Sequence, residues 1–174
     1  MQIIIVCECK SKSKSDYHYI KATIDKNYDL RGKNIKLSPI YLEGKGDWNK
    51  KERRINYYRC KYKSTGETKV VFCLDYDDPK KTKNNIAKNK EIEKYCRQKD
   101  YELVWFNGNI EQVFLGRDIK KSEKVKEAEK FLSSRQIETL DMNKLSINKI
   151  TLETKGSNLF VILNKLIGHT KRKN

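Results

Sequence analysis

The chain has 174 residues and carries 39 Lys+Arg against 23 Asp+Glu, a net charge of +16. That size suits one α/β domain with a short appendage and excludes a multidomain assembly. No apolar run approaches the roughly 18 residues of a membrane span, and Met1–Val6 lacks the basic start and cleavage site of a secretory signal, so a soluble cytoplasmic protein without a membrane partner is expected.

Ile3-Ile4-Ile5-Val6-Cys7 reads as a strand buried on both faces, ending at Glu8. A polar loop follows. Asp16 is placed to cap a helix beginning at Tyr17, with Ile20 and Ile24 one turn apart. Ile35–Leu42 alternates around Pro39, the pattern of an edge strand. After the loop Gly44–Asp47, the positions Trp48, Ile55, Tyr58 and Tyr62 fit one face of a basic helix.

Val70–Leu74 is a second continuous apolar run, stopped by Asp75-Tyr76-Asp77-Asp78-Pro79. A lysine-rich loop with Lys80 and Lys81 leads to a helix over 84–99. Glu102–Phe106 is the third such strand, ending at Asn107-Gly108-Asn109, and a helix over 110–115 follows directly. Segments 122–133 and 156–168 read as helical, while 134–155 fits no single pattern. Strands alternating with helices predict an α/β fold with a mostly parallel central sheet flanked by helices, whose chemistry gathers at the carboxyl ends of the strands.

The five cysteines are odd in number, and Cys7, Cys9 and Cys73 lie in or beside apolar runs, which argues against a disulfide framework. Residues 1–66 hold 16 basic and 7 acidic groups, residues 67–121 hold 12 and 10, and residues 122–174 hold 11 and 6, so acids concentrate between two basic segments. A surface of this sign attracts polyanions. Glu8, the Asp75/Asp77/Asp78 cluster and Glu111 each follow a strand and would meet along one sheet edge. Gathered carboxylates repel unless a cation or proton offsets them, and a hard divalent ion such as Mg²⁺ (or Mn²⁺) prefers such oxygen ligands.

A first strand ending in Glu and a later one ending in Asp-x-Asp resemble the TOPRIM domain of topoisomerases, primases and OLD-type nucleases. Cys7-Glu8, Tyr17/Tyr19, Asp75-Tyr76-Asp77-Asp78 and Asn107-Gly108-Asn109-Ile110-Glu111 are most similar to the small RloB-like TOPRIM proteins of bacterial and phage-defence loci. The resemblance covers residues 1–120 and leaves 121–174 as a helical C-terminal extension. It implies a Mg²⁺-dependent nuclease in which Glu8 is the acid/base, Asp75 and Asp77 hold the metal, and Asp78 and Glu111 are auxiliary acids. One position departs: Cys9 stands where TOPRIM sequences usually have Gly, so the turn after Glu8 must suit a side chain.

Two other readings stay open on the sequence. A haloacid-dehalogenase-like phosphatase would use Asp75 as nucleophile and Asp77 as acid/base, but leaves Glu8 without a role. A basic nucleic-acid-binding subunit with a degenerate site would keep the charge and lose the chemistry. In either nucleic-acid reading Lys10, Lys12, Lys14, Lys80 and Lys81 are candidates for phosphate contacts. Arg53 and Arg54, interleaved with Tyr57, Tyr58 and Tyr62, suit backbone contacts and base stacking. A partner protein or a homodimer that completes the site is a further expectation.

Overall fold

A computed structural model describes residues 1–76, 83–149 and 155–168. Its strands are β1 (Gln2–Cys7), β2 (Lys36–Tyr41), β3 (Thr68–Tyr76) and β4 (Glu102–Asn107), and its helices are α1 (Ser15–Asn27), α2 (Glu52–Lys61), α3 (Lys83–Gln98), α4 (Ile110–Leu115), α5 (Lys124–Ser133) and α6 (Leu159–Ile167). The sheet is wholly parallel, in the order β2-β1-β3-β4. The chain is therefore an α/β protein with helices on both faces of a parallel sheet, as its alternating pattern predicts.

Both faces of the central strands are buried, which is why their sequences are continuous apolar runs. Ile3, Ile5, Cys7, Val71 and Cys73 point to one face, beneath α1, α5 and α6, where Tyr19, Phe131 and Leu163 meet them. Ile4, Val6, Val70, Phe72 and Leu74 point to the other, beneath α2 and α3, against Ile55, Ile92 and Cys96. The helix after β1 thus covers one face and the helix after β3 the other. The chain reverses direction across the sheet between these two neighbouring strands, and a crevice opens at their carboxyl ends.

Pro39 lies in β2, an edge strand, where its missing N–H removes no inner ladder bond. The opposite edge is closed by the C-terminal segment. The Asn158 side chain accepts the Trp105 N–H and donates to the Leu103 carbonyl, both at 2.9 Å, and the Asn107 N–H donates to the Gly156 carbonyl at 2.9 Å. One amide side chain imitates a neighbouring strand. Residues of α5 and α6 share the apolar core with β1 and β3, so the C-terminal helices complete the domain's own core.

Three local expectations change. The first helix begins at Ser15, not Tyr17, because Lys14 takes the left-handed conformation (φ 51°) and turns the chain into it. Asp16 is then inside the helix and buried, with no capping role. Trp48 lies before α2 and packs edge-on against Tyr95 at 4.8 Å. Residues 136–139 and 142–145 form two short 3-10 turns, where no single period was legible.

Candidate functional site

Cys7 of β1 is in register with Cys73 of β3, so Glu8 emerges one residue beyond the last paired position, while Asp75 remains within β3. Asp75 shares the parity of Val71 and Cys73, which directs its side chain to the α1 face. Its carboxylate accepts the Ile110 N–H at 3.0 Å, joining the end of β3 to the start of α4. Glu8, Asp16 and Asp75 line one cleft of about 510 Å³, together with Lys10, Lys121 and Lys124.

Asp16 enters from the first turn of α1. Ser15 Oγ donates to it at 2.9 Å, and the Cys9 backbone donates as well. Glu111, fully buried in α4, is paired through Oε2 with the Lys124 ammonium of α5 at 2.9 Å, while its Oε1 is buried without a hydrogen-bond partner. Four carboxylates from four chain segments thus share one electrostatic environment, with Lys124 as the cation beside them.

The titration of Asp75 and Asp16 records that crowding. Burial, then repulsion from Glu8, Asp16 and Glu111, pushes the Asp75 carboxyl well above the ordinary carboxylate range, against the pull of Lys124. Burial and then Glu111 raise Asp16 to about 6, although Ser15, Lys124 and the Cys9 N–H favour its charged form. Burial works against the Lys124 ammonium, but Glu111, Asp75 and Asp16 outweigh it and hold the group above the usual lysine value. Like charges brought together in partial desolvation have no cheaper outcome than a proton or a bound cation.

A buried lysine supports the strand end from behind. Lys45, in the short turn Lys45–Asp47, places its ammonium 2.6 Å from the Asp75 carbonyl oxygen and 3.0 Å from Asn89 Oδ1, and 5.0 Å from the centre of the Trp105 ring. The end of β3 at Asp75 is therefore tied to α3 and β4 through one side chain.

Comparison with protein-family models, with curated proteins and with solved structures returns no match.

The expected residues divide clearly. Glu8 and Asp75 come together in the cleft, and Glu111 stands behind them through Asp16 and Lys124. Asp77, Asp78, Lys80 and Lys81 lie outside the described residues. Lys10 lines the cleft, whereas Lys12 and Lys14 are exposed on the loop beyond it. Arg53 and Arg54 are exposed on α2 and do not line the cleft. Cys9 is buried and has no left-handed φ, so the turn after Glu8 needs no glycine here.

Asp16, Lys45, Lys121 and Lys124 were not anticipated. For Asp16 a signal existed: Asp16, Tyr19, Ile20, Thr23 and Ile24 follow i, i+3, i+4, i+7, i+8, which puts the acid on the buried face. Lys124, Ala128 and Phe131 repeat that spacing in α5.

The donor set suits a hard cation. It offers carboxylate oxygens under mutual repulsion and an orphaned buried oxygen on Glu111. Among the described residues no group of three or more His, Cys, Asp or Glu is disposed around one metal position. Glu8 and Asp75 together fit Mg²⁺, which usually takes one or two carboxylates and fills its shell with water and phosphate oxygens.

Proposed function

We propose that this chain is a Mg²⁺- or Mn²⁺-dependent nuclease of TOPRIM type, cleaving phosphodiester bonds in DNA or RNA in prokaryotic or phage defence, like the RloB-like proteins it resembles. One observation carries the reading: Glu8, just past β1, and Asp75, near the end of β3, come from the two strands that flank the crevice of the sheet and line a single cleft, with Asp16 and Glu111 beside them. A phosphodiester brings further negative charge to this place, so a bound cation is required before substrate. Glu8 and Asp75 would hold that ion, with Asp77 and Asp78 assigned by the resemblance, and it would supply charge neutralisation at the scissile phosphate.

The chain's own groups do the rest. Glu8, half-buried in the lining of the cleft, accepts the proton of the attacking water. Lys10 and Lys121 offer ammonium groups to the flanking phosphates. Water is assigned as the nucleophile, since the motifs mark no serine, threonine or tyrosine for that role.

Labelled single- and double-stranded DNA and RNA, incubated with Mg²⁺, Mn²⁺ or EDTA, test this directly. Cleavage should need metal and fall at least about 100-fold in Asp75→Asn, the equivalent of about 2.7 kcal/mol of charge stabilisation. Cutting that survives EDTA overturns the reading. Binding without cutting under either metal replaces it with a nucleic-acid-binding subunit whose site is degenerate.

A further inference from the structure

Helix α2 has features that the cleft does not use. Between Lys50 and Lys63 the chain carries seven basic residues and one acid, Glu52. That acid is turned inward, where it accepts from the Tyr95 and Tyr101 hydroxyls, so it does not offset the outer charge. Tyr57 is 57% exposed, the most exposed large hydrophobic side chain among the described residues. It packs edge-on against Tyr58 at 5.6 Å, and Tyr58 stacks on Tyr62 at 6.2 Å with their planes 12° apart. Cations sit over these rings: Lys61 lies 5.7 Å from Tyr57 and 5.6 Å from Tyr62, and Arg54 lies 5.9 Å from Tyr58.

We infer that the outer face of α2 is a single-stranded nucleic-acid-binding platform, on which Tyr57 stacks a base while Arg53, Arg54 and Lys61 hold the adjoining phosphates. Aromatic faces interleaved with cations are what an unpaired strand needs, because every base has a face to stack and every phosphate a charge to meet. In a duplex the base faces are already stacked, so it meets only the charges.

The platform begins near the cleft: Glu43 lines the cleft wall just after β2, and Lys51, just before α2, is close enough to draw on its charge. At the far end, Tyr62 lies 5.5 Å from Lys36 at the start of β2. A strand following the helix would thus run from the acidic crevice along about 15 Å of basic surface. The inference deepens the nuclease reading and rests on its nucleic-acid substrate.

Fluorescence anisotropy in EDTA, with labelled 20-nucleotide single strands of DNA and of RNA, the matching duplex, and heparin as a competitor, tests the platform apart from the chemistry. Single strands of at least one sugar type should bind tighter than duplex. Tyr57→Ala should weaken them about tenfold, and Tyr57→Phe should restore binding, since one stacked base is lost and regained. Arg53→Ala with Arg54→Ala should lower the slope of log affinity against log salt by about 1.4. Unchanged affinity in Tyr57→Ala, equal binding of duplex, or no binding of either strand overturns the inference. Because Tyr57 projects into solvent, matching melting temperatures certify the variants' fold. A chain that binds as expected yet cuts nothing keeps the platform and loses the nuclease. A chain that cuts, with Tyr57→Ala binding normally, does the reverse.

Discussion

Lys45 and Asp75 are joined through the backbone, not through their charges: the lysine ammonium lies 2.6 Å from the aspartate's carbonyl oxygen. Lys45 is 5% exposed, and its ammonium also meets Asn89 and the Trp105 ring. The arrangement fixes where β3 ends, and with it the direction from which the Asp75 carboxylate enters the cleft.

Lys45→Met keeps the aliphatic stem but leaves the Asp75 carbonyl and the Asn89 side chain without this donor. A buried polar group that loses its hydrogen bond costs about 1–3 kcal/mol. Urea unfolding should therefore show a loss of about 1–3 kcal/mol, and metal-dependent cleavage should fall with it. A stability equal to wild type would show that the ammonium contributes nothing to the strand end.

Asp16 gives a pH-dependent prediction whose sign follows from its raised titration. Its folded-state value is about 6 against an ordinary 3.8, so the folded chain binds this proton more tightly than the unfolded chain. The group's contribution therefore turns unfavourable as pH rises from about 4 to 6 and stays so above that window. A shift of this size corresponds to something on the order of 2–3 kcal/mol. Asp16→Asn, whose amide still accepts from Ser15, should be more stable than wild type at pH 7.5, with the advantage gone at pH 4. Melting temperatures at the two pH values decide it; a variant less stable than wild type at pH 7.5 contradicts the repulsion.

The same repulsion sets how metal should protect the fold. A cation at Glu8 and Asp75 binds the charged carboxylates and competes with the proton that Asp75 otherwise favours. Raising Mg²⁺ to about 100 times its dissociation constant should add about 2.7 kcal/mol, or roughly 5–10 °C in melting temperature at this chain length. The shift should be large at pH 7.5 and small at pH 5, where Asp75 and Asp16 hold their protons more fully. Asp75→Asn should abolish it at both. Differential scanning fluorimetry reads all four conditions.

The sequence made the sheet legible because each central strand is buried on both faces and so has no polar alternation to obscure it. Ile3–Cys7 and Val70–Leu74 could be placed beside each other, and the acids that follow them could be expected to share a rim. The same logic missed Asp16. An acid near a helix start reads as a cap, and only its spacing from Tyr19, Ile20 and Thr23 shows that it faces inward. Lys124 was missed for a similar reason, a charged residue on a buried helix face being read as part of a basic surface. Lys45 left no signal at all. It sits in a three-residue turn without a period, and its partners on β3, α3 and β4 are brought to it only by the tertiary fold.

The Lys124–Glu111 pair separates the cation's role in the fold from its role at the cleft. Glu111 is fully buried, and Lys124 is its charge partner at 2.9 Å, with the lysine side chain 31% exposed. Removing one member of a buried pair strands the other charge, at a cost of about 3–5 kcal/mol when both are deeply buried. Solvent near Lys124 lowers that, so Lys124→Met should destabilise by about 2–3 kcal/mol at pH 7.5. Lys124→Met combined with Glu111→Gln should recover most of the loss, because the stranded charge is gone, and the coupling of the two changes should exceed about 1 kcal/mol. The double variant also removes a cation from beside Asp75 and an acid from behind it. If Lys124 serves only the fold, the double variant should cut nucleic acid nearly as well as wild type. If the ammonium also meets substrate phosphate, stability should return while cleavage stays at least tenfold down, and urea unfolding measured alongside single-turnover cleavage distinguishes the two.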